Sequence, residues 1–225
     1  YLKPTRGRKN LQILTDMQVE KLVLRDGRVV QVVATSKGQN ITLDVAREVV
    51  LSAGAIGSPH ILMMSGIGAG QELAEWGIPV ESDLPGVGQN LQDHLQARPI
   101  FKTNLSTINT EVKSWVRKTM IGIEYALRRT GPMTMAASLG AGFLKTRPDL
   151  ETPDIQFHIQ PFSANNAVEG THPFSAFTAS VLQLRPESKG CLKLKSADSM
   201  VYPAIYPNYL ATTKDQTTIV KGIQI

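Results

Sequence analysis

The sequence predicts an α/β unit followed by an α+β unit. Three observations carry that prediction. Short β-prone runs separated by turn residues fill 10–53. They lead into the stretch 48–68, EVVLSAGAIGSPHILMMSGIG, which passes from an apolar run through small residues to a helix-start signal. Beyond residue 98, one long amphipathic helix is followed by alternating strands.

Within 10–53, Leu11, Ile13 and the run Val19 to Leu24 are short and apolar. Arg25-Asp26-Gly27-Arg28 reads as a hairpin turn centred on Asp-Gly. Val29 to Ala34 returns, residues 36–40 turn again, and Ile41 to Val45 follows. This meander feeds a predicted buried strand at Val49-Val50-Leu51. A meander in that place suits an α/β nucleotide-binding domain or a free β-sheet domain. Ser58-Pro59 then signals a helix over His60 to Met64, with the hydroxyl capping the first amides and proline at the first helical position. A side-chain-poor turn before a helix start lets a large ligand approach the backbone, and its free amides suit an anion such as a pyrophosphate. Ordinary strand-turn-helix packing gives the same pattern.

Residues 69–76 read as a short helix ended by Gly77, with Pro79 beyond it. The segment 84–94, LPGVGQNLQDH, is a constrained loop in which Asn90 could cap a turn running to Asp93-His94. A strand is predicted at 98–104 and a helix at 110–129. Val112, Val116, Met120, Ile123 and Leu127 share one stripe of that helix, while Lys113, Arg117, Arg128 and Arg129 lie mostly off it. A solvated face accounts for these cations, with a nucleic-acid or membrane contact as the alternative. Further strands are predicted at 139–144, 155–160, 177–184 and 191–194. The polar loop 163–174 is long enough to carry function or disorder.

Composition narrows the function classes. The chain has 225 residues, 42% hydrophobic and 19% charged, enough to bury a core. Its net charge is +5, but the cations are spread along the chain, which argues against a nucleic-acid binder. Cys191 is the only cysteine, so an internal disulfide and a cysteine metal site are excluded. His60, His94, His158 and His172 show no metal-ligand spacing, and no apolar run reaches the length of a transmembrane segment. No secretory signal opens the chain. The chain opens on Tyr1, and 217–225 read as a helix without a stop signal; both suggest an internal fragment of a longer protein.

No constellation here declares a reaction by itself. Asp93-His94 looks like an acid–base pair, but adjacent residues rarely face each other, and a structural role is expected. Gly66-Ile67-Gly68-Ala69-Gly70 has a dinucleotide-loop flavour without the full G-x-G-x-x-G. The combination is more informative. Gly54-Ala55, Ser58-Pro59 and Ser65-Gly66-Ile67-Gly68, then Gly77-Ile78-Pro79-Val80, then 84–94, closely resemble the glucose–methanol–choline (GMC) oxidoreductase family. Tyr1 to Leu11 and the runs 184–190, 196–198 and 207–210 extend the resemblance over essentially the whole chain, nearest to the choline-dehydrogenase-like branch.

The resemblance implies a partial FAD-binding, Rossmann-like domain over 1–97, with the β-meander in it. It implies a substrate domain over 98–212, an antiparallel sheet flanked by helices, and the start of a further helix at 213–225. It implies FAD as cofactor and oxidation of a small alcohol by hydride transfer to flavin N5, with the electron acceptor left open. Among residues, it implies that the Val19 backbone contacts the adenine, that Ser52, Ala53 and Gly54 line the nucleotide half, and that Ser58 and Pro59 shape that pocket. His158 falls where some choline-oxidising relatives place a substrate-pocket histidine; a packing role is the other reading. Those relatives hold the trimethylammonium head with a glutamate, and 133–144 contain no carboxylate, which argues against choline. The family's N-terminal dinucleotide loop and its C-terminal catalytic histidine have no counterpart, so no catalytic residue is assigned and the chain alone is expected to be inactive. Two other classes remain: a non-catalytic scaffold with the same fold, and a family lyase that keeps FAD structurally. The single cysteine is compatible with the cytoplasm, and peripheral membrane association is the alternative.

Overall fold

The computed structural model describes residues 2–135, 138–166 and 169–225. Tyr1, and the parts of 133–144 and 163–174 that fall at 136–137 and 167–168, lie outside the described residues. The fold is mixed α/β with several antiparallel sheets, divided into two units: Tyr1–Leu91 with Lys189–Pro207, and Gln92–Ser188 with Asn208–Ile225.

In the first unit a short helix α1 (Leu2–Thr5) precedes the meander β1 (Gln18–Arg25), β2 (Arg28–Ser36) and β3 (Gln39–Asp44), paired in the order β1-β2-β3. Both hairpin loops are two residues long. Asp26 and Gly27 have φ of 52° and 73°, and Lys37 and Gly38 have 50° and 76°, the left-handed pairs that match the sheet's twist. Leu11 and Ile13 precede the meander as irregular chain rather than as strands, and both are exposed.

Two expectations for 48–68 are corrected. Val49–Leu51 is not a strand: it runs unpaired, with Val50 79% exposed, because no neighbouring strand offers it hydrogen bonds among the described residues. The helix α2 (Gly54–Met64) begins six residues earlier than His60, which places Pro59 inside it. Ile61, Met63 and Met64 are its buried residues.

Beyond α2, β4 (Ile67–Gly68) pairs in parallel with β5 (Ser82–Asp83) across the helix α3 (Gly70–Glu75). Asp83 Oδ1 accepts from the Gly70 N–H at 2.8 Å, capping α3 from a distance. Next comes β6 (Gln89–Leu91), where a turn capped by Asn90 was expected. Asn90 has φ 59° and is the extra residue of a bulge, since Gln89 pairs with Cys191 and Leu91 with Gly190. Asparagine tolerates the left-handed conformation that this bulge requires.

In the second unit, β7 (Gln96–Ala97) and β8 (Ile100–Lys102) replace the single strand predicted over 98–104, split by Pro99, which has no N–H to donate. Helices α4 (Ile108–Glu111) and α5 (Trp115–Arg128) replace the single helix over 110–129, and Ser114 caps the second by accepting from Arg117 N–H. Strands β9 (Gly140–Leu144), β10 (Ile155–Gln160) and β11 (Ala176–Gln183) follow, all antiparallel, in the order β7-β11-β10-β9 with β8 also on β11.

The chain then returns to the first unit. There β12 (Gly190–Lys193) pairs with β6 and with β13 (Ala204–Tyr206). This pairing draws 189–207 out of the run 98–212. Gly190 is required there: a Cβ would lie 1.9 Å from the Tyr206 carbonyl oxygen. Met63, Met64, Leu73, Leu192 and Leu194 form the core of this unit. The last helix, α6 (Thr213–Gln224), belongs to the second unit and packs Ile219 against Ile155 and Val181 of the sheet.

Candidate functional site

The start of α2 is open. Ala53, at its N-cap, has no side-chain oxygen, and no acidic residue occupies the first turn. The first amides are therefore left without a side-chain acceptor. Residues 52–56 are exposed, and Gly54, at φ 80°, has nothing within 4 Å of where a Cβ would stand. Ser58 does not cap those amides as expected. Its Oγ reaches back to accept from the Ala53 N–H at 3.0 Å, bracing the turn from one helical turn later. Gly57 keeps the turn tight, because a Cβ there would come within 3.0 Å of Ala53 Cβ. Pro59 lacks an N–H, so the Ala55 carbonyl loses its helical partner. The arrangement presents oriented amides and bare backbone to solvent, which suits a phosphate-bearing ligand.

The other end of the helix is tied to the meander. Ser65 Oγ donates to Ile61 O at 2.6 Å and accepts from the Leu22 N–H of β1 at 2.8 Å; the bond is buried. The ladder between β1 and β2 shifts register between Val19 and Lys21, so Val19 sits beside a bulge. Its carbonyl accepts from Gln18 Nε2 at 3.3 Å. Val19 and Gly54–Pro59 thus lie on two elements pinned together at Leu22 and Ser65, with Ser52 and Ala53 just ahead of the second. The same helix carries His60, whose Nε2 is buried without a hydrogen-bond partner among the described residues. Burial pushes its pKa below the ordinary value, because the charged imidazolium is the form that burial disfavours. Sequence reasoning took His60 as a helix residue and Ser65 as part of the helix stop and of the family pattern, without a role for either side chain. Only contacts distant in sequence, or the lack of one, distinguish them.

His158 lies in the second unit, on β10, opposite Ala141 of β9 and Ser180 of β11. Alternation divides the sheet there. Ile155 and Phe157 face α6, while Gln156, His158 and Gln160 point to the other side. His158 is half-buried, and its Nδ1 is 3.3 Å from Ser138 Oγ. A hydroxyl partner and a polar sheet face suit either a substrate contact or a structural hydrogen bond.

Asp93 and His94 are directed to separate partners, as a structural role requires. Asp93 Oδ2 accepts from the Tyr209 hydroxyl at 2.5 Å, the chief reason its pKa is lowered. His94 Nε2 donates to the Leu184 carbonyl at 3.1 Å. Among the described residues no cluster of histidine, cysteine or carboxylate could hold a metal, and no helix is long and apolar enough to cross a membrane.

Comparison with known proteins accords with this geometry. Residues 1–96 match the family model described as GMC oxidoreductase. The chain is 38% identical over 222 residues to the mitochondrial choline dehydrogenase of Homo sapiens, covering 96% of this chain and 36% of that protein. It is 35% identical over 228 residues to the alcohol dehydrogenase [acceptor] of Pseudomonas putida, covering 100% and 41%. The chain thus spans well under half the length of these relatives. Among solved structures, a formate oxidase of Aspergillus oryzae superposes with a TM-score of 0.87 at 23% identity, over 98% of this chain and 44% of that one. An FAD-dependent oxidoreductase of Chaetomium thermophilum gives 0.79 at 21%, over 99% and 45%. At such identities these two speak for the fold alone. The family model over residues 1–96 and the curated relatives show that the chain is similar to the GMC oxidoreductases and, among them, to choline and alcohol dehydrogenases.

Proposed function

We propose that this chain forms one wall of the FAD site and much of the substrate domain of an oxidoreductase that oxidises a small alcohol to its carbonyl. The observation that carries the reading is the start of α2: a positive-φ glycine in open space, a first turn free of acids, and amides with no side-chain cap. Members of the family bind FAD, and these residues fit a dinucleotide: nothing bulky or anionic blocks its approach. In this reading the Val19 backbone holds the adenine, Ser52, Ala53 and Gly54 line the nucleotide half, and Ser58 and Pro59 keep the turn in shape. His158 would lie at the substrate pocket. When bound, the cofactor supplies the hydride acceptor at its N5. The chain carries no G-x-G-x-x-G, so the 225 residues alone are proposed to be inactive.

Amide hydrogen exchange tests this. In the protein of the longer open reading frame, FAD is expected to slow exchange over 52–58, and Gly54→Val is expected to abolish that protection while leaving α6 unchanged. Unchanged exchange over 52–58 would refute the cofactor assignment. Separately, reduction of an acceptor dye by alcohols with this chain alone would refute the proposed inactivity.

A further inference from the structure

The strands β7 to β11 of the second unit contain no aspartate or glutamate. On the side away from α6 they present Gln156, His158 and Gln160, and Arg98 joins that side from the link between β7 and β8. Ala97 packs with Ile155 and Val181 on the side of α6, so alternation sends Arg98 the other way. The register places it closely. Ala97 pairs with Val181, and the Pro99 carbonyl accepts from the Ala179 N–H at 3.1 Å, so Arg98 stands level with Ser180. Ser180 pairs with His158, and His158 with Ala141. One row across the sheet therefore reads Arg98, Ser180, His158, Ala141. Arg98 and His158 are two strand spacings apart, about 10 Å between backbones. The residue between them is small, and its hydroxyl turns down to the His158 carbonyl, which keeps the floor low. Arg98 reaches across to donate from Nη2 to Gln160 Oε1 at 3.1 Å. The rest of its guanidinium has no partner and no carboxylate pairs with it among the described residues, although the side chain is exposed. His158 Nδ1 is engaged with Ser138, and its Nε2 has no hydrogen-bond partner among the described residues. Lys102, on the same side of the sheet, lies over the Phe174 ring.

We infer that Arg98 selects the substrate: the alcohol carries an anionic group, of which a carboxylate is the model, bound by the Arg98 guanidinium while its hydroxyl lies at His158. This rests on the reading of His158 as part of the substrate pocket. A guanidinium meets a carboxylate with two parallel N–H bonds, a match that Gln160 alone leaves unused. A role confined to Gln160 would employ one of about five N–H donors. The guanidinium sits beside Gln160, two residues along β10 from His158, which is about 7 Å at the usual rise. A four-carbon hydroxy acid spans a distance of that order. Charge separates the classes of alcohol. A quaternary ammonium alcohol would meet Arg98 and Lys102 with no carboxylate from the strands to offset them. A neutral alcohol would leave the guanidinium to water and gain nothing from it.

The test uses the FAD-loaded protein of the longer open reading frame and three alcohols of similar length: 4-hydroxybutyrate, 1,4-butanediol and choline. The kcat/KM for 4-hydroxybutyrate is expected to exceed the other two at least tenfold. Arg98→Met is expected to cut the preference for 4-hydroxybutyrate over 1,4-butanediol at least tenfold, mainly through KM. Arg98→Lys, which keeps the charge, is expected to retain part of that preference. In the wild-type protein, butyrate is expected to compete with 4-hydroxybutyrate and 1-butanol is not, a comparison that does not depend on how a variant folds. The proposal is overturned by equal kcat/KM for the hydroxy acid and the diol, by a preference for choline, by Arg98→Met slowing all three alike, or by equal inhibition by butyrate and 1-butanol. Oxidation of none of the three would refute the proposed alcohol oxidation, and calorimetry then decides the role of Arg98. Binding of 4-hydroxybutyrate that Arg98→Met abolishes supports the anion site, and no binding to the wild-type protein overturns it.

Discussion

Replacing Asp215 with asparagine perturbs one carboxylate that joins two parts of the second unit. Asp215 is 1% exposed, three residues after the Thr212 cap of α6. It accepts from Glu187 N–H at 2.9 Å, from Ser188 N–H at 2.7 Å and from the Ser188 hydroxyl, which in turn accepts from Ala211 N–H at 2.9 Å. Burial alone would raise its pKa, but the hydrogen bonds from Ser188 and Glu187 outweigh burial and lower it from 3.8 to about 2. The folded value lies below the unfolded one, so this group's contribution is complete above the unfolded value and is lost as pH falls through about 2. The shift is equivalent to about 2 kcal/mol. Asparagine removes the charge and turns an NH2 toward one of the donors, costing about 3 kcal/mol near neutral pH. Urea unfolding, followed by circular dichroism between about pH 7 and pH 2, measures both effects. The wild-type chain is expected to lose about 2 kcal/mol more than Asp215→Asn on acidification. Coincident midpoints near neutral pH, or an equal acid loss in the two proteins, would refute the reasoning.

Two further substitutions probe the first unit. Ser65→Ala leaves the buried Leu22 N–H without an acceptor, an expected cost of about 1–3 kcal/mol, seen in denaturant unfolding and as faster exchange of the Leu22 amide. Gly190→Ala forces a Cβ against backbone at Tyr206, so its cost should exceed the roughly 1–3 kcal/mol of ordinary overpacking. A thermal midpoint within a degree or two of wild type would show that the pairing of β12 and β13 is not required there.

The meander was legible because its determinants are local. Asp26-Gly27 and Lys37-Gly38 encode their turns within the residues that form them, and alternation does the rest. The antiparallel strands around His158 were legible for the same reason. What failed had non-local causes. Val49–Leu51 has the composition of a strand, but a strand needs a neighbour, and pairing cannot be read from three residues. The Ser58 hydroxyl was read as a cap. Whether it reaches the amides after it or the Ala53 N–H before it depends on where the helix begins, and the positive φ of Gly54 decides that. The apolar stripe of α5 was read correctly as a stripe, but periodicity carries no information about what the stripe faces. Residues 189–207 return to the first unit through the pairing of β12 with β6, a contact about a hundred positions apart in sequence, which no window of local pattern contains.

The Ser65 bridge also bears on solubility. β1 is the outer strand of its sheet, and an outer strand offers unpaired N–H groups to any extended chain that comes near. At Leu22 that offer is withdrawn, because the hydroxyl of the helix behind it occupies the donor. A single side-chain oxygen thus closes a position where strands of separate molecules could otherwise add edge to edge. Helix α2 guards the meander against self-association as well as carrying the open turn at its other end.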